Sequence, residues 1–215
     1  MDGWKQILAN SQRCSNHQLA VDLASELSSI LEIPLTEFSI TDSLLWGEGH
    51  DESDIDLLVD GQQNATRLIE RRYQIYEQVD FARPNPEVMT SPYGITVADW
   101  PSLLNRKLHM GEFRGRLFSL RAIRPANASS VYQPRSSTSV DSIEFTVADV
   151  EQSLFFPAIY LNDQGDQLVD YSVVYEGVFR VGETVKCRAF VEDTDSSFCK
   201  FIIDGECTIC RTAAH

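Results

Sequence analysis

No stretch of this chain is apolar for long enough to span a bilayer, and no signal-peptide hydrophobic core follows its N-terminus. The expectation is a cytoplasmic protein with no membrane partner, in which the sequons at Asn64 and Asn127 are chance matches. Positive charge is scarce: 18 Lys and Arg stand against 32 Asp and Glu, a net charge of −14. That balance disfavours non-specific binding to nucleic acid while leaving a local basic groove open. Histidines number four and are too scattered to suggest a metal cluster. Neither a Ser-His-Asp arrangement, nor a G-x-x-x-x-G-K loop, nor a dinucleotide fingerprint occurs. Cysteines are few: Cys14, Cys187, Cys199, Cys207 and Cys210. In a reducing compartment they are free thiols. Cys207 and Cys210 form a C-x-x-C that is either half a zinc site with Cys187 and Cys199 or a pair of plain thiols. A zinc module ordinarily shows two close pairs, and only one is present. What remains is ordinary for a globular protein, with 43% hydrophobic and 23% charged residues. A chain of 215 residues suffices for one sizeable core or two small ones.

The most informative stretch runs from Ser43 to Val59, S-L-L-W-G-E-G-H-D-E-S-D-I-D-L-L-V. Asp54 and Asp56 flank Ile55 and precede Leu57, Leu58 and Val59. On a strand, residues i and i+2 share a face, so both carboxylates leave one side of an apolar strand. Two such neighbours repel, and both ionise readily only with a cation between them. Hard oxygen ligands at this spacing suit Mg²⁺, which takes one or two carboxylates plus substrate phosphates. The plain alternative is an acidic sheet end that only meets water. Upstream, Phe38 and Ile40 approach Ser43 as a strand, and Gly47 and Gly49 break the chain beyond it. The pattern is a strand, a turn carrying a hydroxyl, and a second strand carrying two acids.

This constellation resembles the signature of the DNA polymerase beta-like nucleotidyltransferase superfamily, in which a Gly-Ser turn precedes D-x-D in an apolar strand. The S-D-I-D-L-L-V wording is similar to the minimal nucleotidyltransferases of archaea and bacteria. The resemblance implies transfer of a nucleoside monophosphate from an NTP to an acceptor that is RNA, protein or a small molecule. Asp54 and Asp56 would hold two Mg²⁺ ions, and Ser43 with the backbone around Trp46 and Gly47 would hold the terminal phosphates. Asp42 stands where the family has glycine, which places bulk and negative charge near the triphosphate. The family's third carboxylate has no motif here; Asp80 and Asp99 are candidates. The alternative is a catalytically degenerate member that binds nucleotide, RNA or protein, among them an antitoxin-like partner. The sequence leaves a homo-oligomer open.

Gly3 to Leu8 reads as a short helix, and apolar residues from Leu19 to Leu31 predict a longer one over 16–32, ended by Pro34. Ala65 to Val79 reads as a helix. Asp99 is placed to cap another that begins near Pro101. Positive charge then concentrates in Arg106, Lys107, Arg114, Arg116, Arg121 and Arg124, with His109 among them. Arginine forks match phosphate oxygens, so Arg114, Arg116 and Arg121 are candidate contacts to a triphosphate or an RNA backbone. The alternative is that these arginines balance the protein's own acids. The surrounding run L-N-R-K-L-H-M-G-E-F-R-G-R-L-F also resembles a stretch of archaeal-type predicted nucleotidyltransferases.

Residues 125–139 are rich in Ser, Pro, Ala and Asn and read as a linker. From Val140 the period is two, with strands expected at Ile143–Val147, Phe155–Leu161, Val169–Tyr175, Thr184–Val191 and Phe198–Ile203. Five short strands with polar turns suggest a small barrel of oligonucleotide-binding (OB) type. Tyr160, Tyr171, Tyr175 and Phe179 would be available to stack on bases, although a packing or oligomerisation role fits the acidic region better. The expected class is α+β. A nucleotidyltransferase domain (mixed sheet with helices) over 1–124 is followed by the linker and a barrel-like domain over 140–215.

Overall fold

Alternation of buried and half-exposed residues is clearest in one strand of the first sheet. In Ile55–Asp60, the side chains of Ile55, Leu57 and Val59 are buried while Asp56 and Leu58 are half-exposed. The computed structural model describes residues 15–41, 53–87, 89, 99–124, 137–192 and 199–210. Within these the chain is α+β, with two mixed five-stranded sheets and few helices. Its contacts divide it into two compact units, Met1–Asn85 with Leu108–Asn127 and Pro86–Lys107 with Ala128–His215. Residues 86–107, kept with 1–124 in the sequence reading, thus make their contacts in the second unit. No helix among the described residues is long and apolar enough to cross a membrane.

In the first unit the strands are β1 (Phe38–Ile40), β2 (Ile55–Asp60), β3 (Phe81–Ala82), β4 (Met110–Phe113) and β5 (Arg116–Ile123). Their order is β1-β2-β5-β4-β3, and only β2 and β5 run parallel. One face of this sheet is largely apolar: Phe38, Ile40, Ile55, Leu57, Val59, Phe118, Leu120 and Phe113 are all buried. Helices α1 (Ser15–Leu31) and α2 (Gln62–Arg71) pack there, α1 through Ala20, Leu23, Ala24, Leu27 and Leu31 at helical spacing. The expected helix over Ala65–Val79 is shorter than its pattern. It ends at Arg71 and continues as a 3-10 turn, Arg72–Glu77, which buries Ile75. The expected helix at Gly3–Leu8 lies outside the described residues.

Gly111 sits on the apolar face where the hydroxyl of Tyr76 donates to the carbonyl of Met110. A Cβ there would lie 2.6 Å from the Ala82 carbonyl oxygen and 3.0 Å from the Tyr76 ring. The carbonyl belongs to a paired strand and cannot swing away. Gly111→Ala is therefore expected to destabilise the protein by about 2–3 kcal/mol, the usual range for overpacking. A urea melt checks this, and an unchanged midpoint would refute the tight approach.

The second unit carries α3 (Trp100–Leu104) and strands β6 (Ser137–Thr146), β7 (Ala158–Leu161), β8 (Gln167–Asp170), β9 (Thr184–Glu192) and β10 (Lys200–Cys210). Asp99 precedes α3 but makes no side-chain cap, contrary to expectation; its carbonyl accepts the Leu103 amide at 3.1 Å. The sheet order is β6-β9-β10-β8-β7, antiparallel except for β8 beside β10. Beyond β6, Asp149 bridges Leu161 of β7, and the Ala148 amide donates to the Leu161 carbonyl at 2.7 Å. The strands expected at Phe155–Leu161 and Val169–Tyr175 are shorter, because irregular segments with side-chain-bonded turns flank them.

One such segment follows β8. Buried Asp170 accepts the amides of Ser172 and Tyr175, each at 2.8 Å, and holds the chain in a tight curl. Lys107 is 1% exposed, and its Nζ donates to the carbonyls of Val173 at 2.9 Å and Glu176 at 3.1 Å. Arg106 pairs with Glu183 at 2.5 Å and donates through Nε to the Val178 carbonyl at 3.0 Å. Tyr160, Tyr175 and Phe179 pack ring against ring in this core. They are thus core residues and not the base-stacking platform considered from sequence. Tyr171 is half-exposed and meets the exposed Phe156 edge-on.

Candidate functional site

The first sheet's second face carries its polar side chains. Alternation along β2 puts Asp56 and Leu58 there, and Asp54, just before the strand, follows the same alternation. Asp54 is exposed and Asp56 half-buried. The parallel register sets Asp56 opposite Ser119 of β5, and the Ser119 hydroxyl donates to Asp56 Oδ1. Ser119 is itself buried, so this bond fixes the carboxylate's orientation. Arg121 lies two residues further along β5, opposite Leu58 and on the same face. On the other side of β2, the Thr41 amide donates to the Asp56 carbonyl at 3.1 Å.

Ser43, Trp46 and Gly47, the expected phosphate contacts, lie outside the described residues, as does Asp42. Thr41 is nonetheless two residues before Ser43, so the chain enters that segment from directly beside Asp56.

The arginines separate. Arg121 alone among the three candidates shares the Asp56 face. Arg116 alternates with Phe118 and Leu120 and belongs to the helix-covered face. Arg114 and Gly115 form the two-residue turn between β4 and β5, both with positive φ (49° and 79°). The Arg114 guanidinium bonds Asp80 at 2.7 Å and Asp22 of α1 at 3.0 Å. The hydrogen bond it donates to Asp80, first among the causes, raises its pKa further above an already high value. Asp80, a candidate third carboxylate, is thus engaged with Arg114. Asp99, the other candidate, belongs to the second unit.

Three residues on the acidic face were not singled out from sequence: Thr41, Ser119 and Glu112. Glu112 of β4 lies opposite Leu117 of β5, two strands from β2, or roughly 10 Å by strand spacing. The only sequence signal for Ser119 is a small polar residue alternating with Arg121 in an otherwise apolar strand.

Among the described residues no group of three His, Cys, Asp or Glu is placed to hold a metal. The donor set of Asp54 and Asp56 is two hard carboxylates, which fits Mg²⁺ only with substrate oxygens completing its shell. The C-x-x-C gives no chelate: residues i and i+3 of a strand leave opposite faces, and Cys207 lies opposite Cys187 while Cys210 lies opposite Thr184. Cys187, Cys199, Cys207 and Cys210 are free thiols.

The class defined by this geometry is a two-unit α+β chain with two carboxylates, one exposed and one half-buried, at the start of an inner strand. Comparison with protein-family models, curated proteins and solved structures finds no match to it.

Proposed function

We propose that this chain is a Mg²⁺-dependent nucleotidyltransferase, with a polymerase-beta-like first unit, that moves a nucleoside monophosphate from an NTP to an acceptor. The observation that carries the reading is the junction of β1 and β2. By strand alternation Asp54 and Asp56 leave the same face of the sheet, and the chain leading into Ser43 is hydrogen-bonded to the Asp56 carbonyl. Asp54 and Asp56 would hold two Mg²⁺ ions, which when bound neutralise the triphosphate and favour the deprotonated acceptor hydroxyl. Ser43 and the backbone at Trp46 and Gly47 bind the terminal phosphates. Arg121 supplies positive charge from the same face. Ser119 holds the Asp56 carboxylate in position. Catalysis is then positioning and charge neutralisation for an in-line displacement.

The second unit we read as a closed five-stranded barrel of OB type. The order β6-β9-β10-β8-β7, with the Asp149–Leu161 bridge linking its two ends, supports closure.

A second reading is a nucleotide-, RNA- or protein-binding member that does not turn over. Two features favour it: Ser119, not an acid, stands opposite Asp56, and Asp42 replaces the family's glycine.

The two readings separate by Mg²⁺-dependent transfer from α-labelled NTPs onto pooled RNA, protein and small-molecule acceptors, with pyrophosphate release followed in parallel. Label transfer that chelation of Mg²⁺ abolishes is expected, and the labelled product names the acceptor. Binding of Mg-NTP without transfer would support the second reading, and no binding at all would overturn both as to nucleotide.

A further inference from the structure

In the second unit β9 and β10 are antiparallel, and Cys187 stands directly opposite Cys207. The Cys207 amide donates to the Tyr175 hydroxyl at 2.8 Å and so turns away from β9. That marks a non-hydrogen-bonded pair, the closer of the two antiparallel arrangements, with Cα atoms about 4.5 Å apart. Directly opposed residues share a face, and disulfides span Cα separations of about 4.4–6.8 Å. Burial, first, and the neighbouring Cys187 sulfur push the Cys207 thiol up, while the Cys207 thiol beside it lowers that of Cys187. Cys187 is buried and Cys207 partly buried, on the face that carries Val185 and Ala189 into the core, so the reagent meets the pair when β10 opens locally at its register shift. Cys210 faces the other way, opposite Thr184, and Cys199 precedes β10.

We propose that Cys187 and Cys207 are a redox modification site, closing to a reversible cross-strand disulfide by exchange with a low-molecular-weight disulfide such as oxidised glutathione. One thiolate attacks the small disulfide, forming a mixed disulfide and releasing one small thiolate. The second cysteine's thiolate then attacks the mixed disulfide at the protein sulfur and releases the other. Two protein thiols are oxidised, the small disulfide is reduced, and the two protons pass to the departing thiolates. The new bond staples β9 to β10 beside the register shift between Ile203 and Cys207, where Gly205 has φ of 124° and its carbonyl accepts the Tyr175 hydroxyl at 3.4 Å.

The test is equilibration of the full chain in oxidised and reduced glutathione at graded ratios, followed by acid quenching, alkylation and peptide mapping. The expected product is a Cys187–Cys207 linked peptide, with a melting temperature raised by roughly 5–10 °C for a loop of this length. Cys207→Ser is expected to remove both the link and the temperature shift, and Cys187→Ser to do the same. Exposed Cys199 serves as an internal gauge. Recovery of Cys187 and Cys207 as alkylated thiols at a ratio that converts Cys199 to its mixed disulfide would overturn the proposal. So would a link from Cys207 to any cysteine other than Cys187.

Discussion

Asp56→Asn is expected to lower Mg²⁺-dependent transfer by at least about a hundredfold, since loss of groups that only support a metal ligand already costs ten- to a hundredfold. The amide keeps the shape of the carboxylate and still accepts the Ser119 hydroxyl, so the fold loses little. The variant should therefore melt within a few degrees of the wild type. A variant that loses activity together with several degrees of melting temperature would point to a structural role for Asp56. Ser119→Ala makes the graded comparison. It leaves both carboxylates and removes the bond that orients one, so Mg²⁺ affinity should fall by roughly ten- to a hundredfold. Titration of Mg²⁺ at fixed NTP reads this directly, and an unshifted midpoint would remove Ser119 from the site.

Lys107→Met is expected to have the largest effect on stability. Methionine fills most of the space, but the carbonyls of Val173 and Glu176 lose the ammonium that now satisfies them. Each orphaned buried acceptor costs about 1–3 kcal/mol, so the loss should total about 3–5 kcal/mol. In a chain of this size that is roughly 10 °C or more in melting temperature. Calorimetry checks it. A fall of less than 2 °C would mean that the curl at 171–178 stands without Lys107.

The acidic strand was legible because its signal is local: alternating Ile55, Leu57 and Val59 put one face in the core and leave both aspartates on the other. Helix α1 was legible for a similar reason, its buried residues falling at helical spacing. The partner of Asp56 was not. Ser119 is 63 residues away in sequence, and no local pattern reports a parallel register. The arginine cluster shows the opposite error. Arg114, Arg116 and Arg121 are close in sequence, yet Arg114 sits in the turn after β4 and the strand alternation sends Arg116 and Arg121 to opposite faces. The last strand illustrates a third difficulty. Expected to end at Ile203, it runs on through Gly205 to Cys210 across a register shift, because bulges and turns both use glycine at positive φ.

The interleaving of the two units governs the order in which a ribosome can complete them. The first unit's sheet is finished only by β5, which inserts between β2 and β4, so neither flanking strand has its neighbour until residue 123 has emerged. By then Lys107 has already left the tunnel, and Glu176, whose carbonyl it will bind, follows it by 69 residues. At about 5–20 residues per second, that ammonium waits roughly 3–14 s in water. A charged side chain is at home in water for that interval, so Lys107 meets its carbonyl partners without having been an exposed apolar anchor in the meantime.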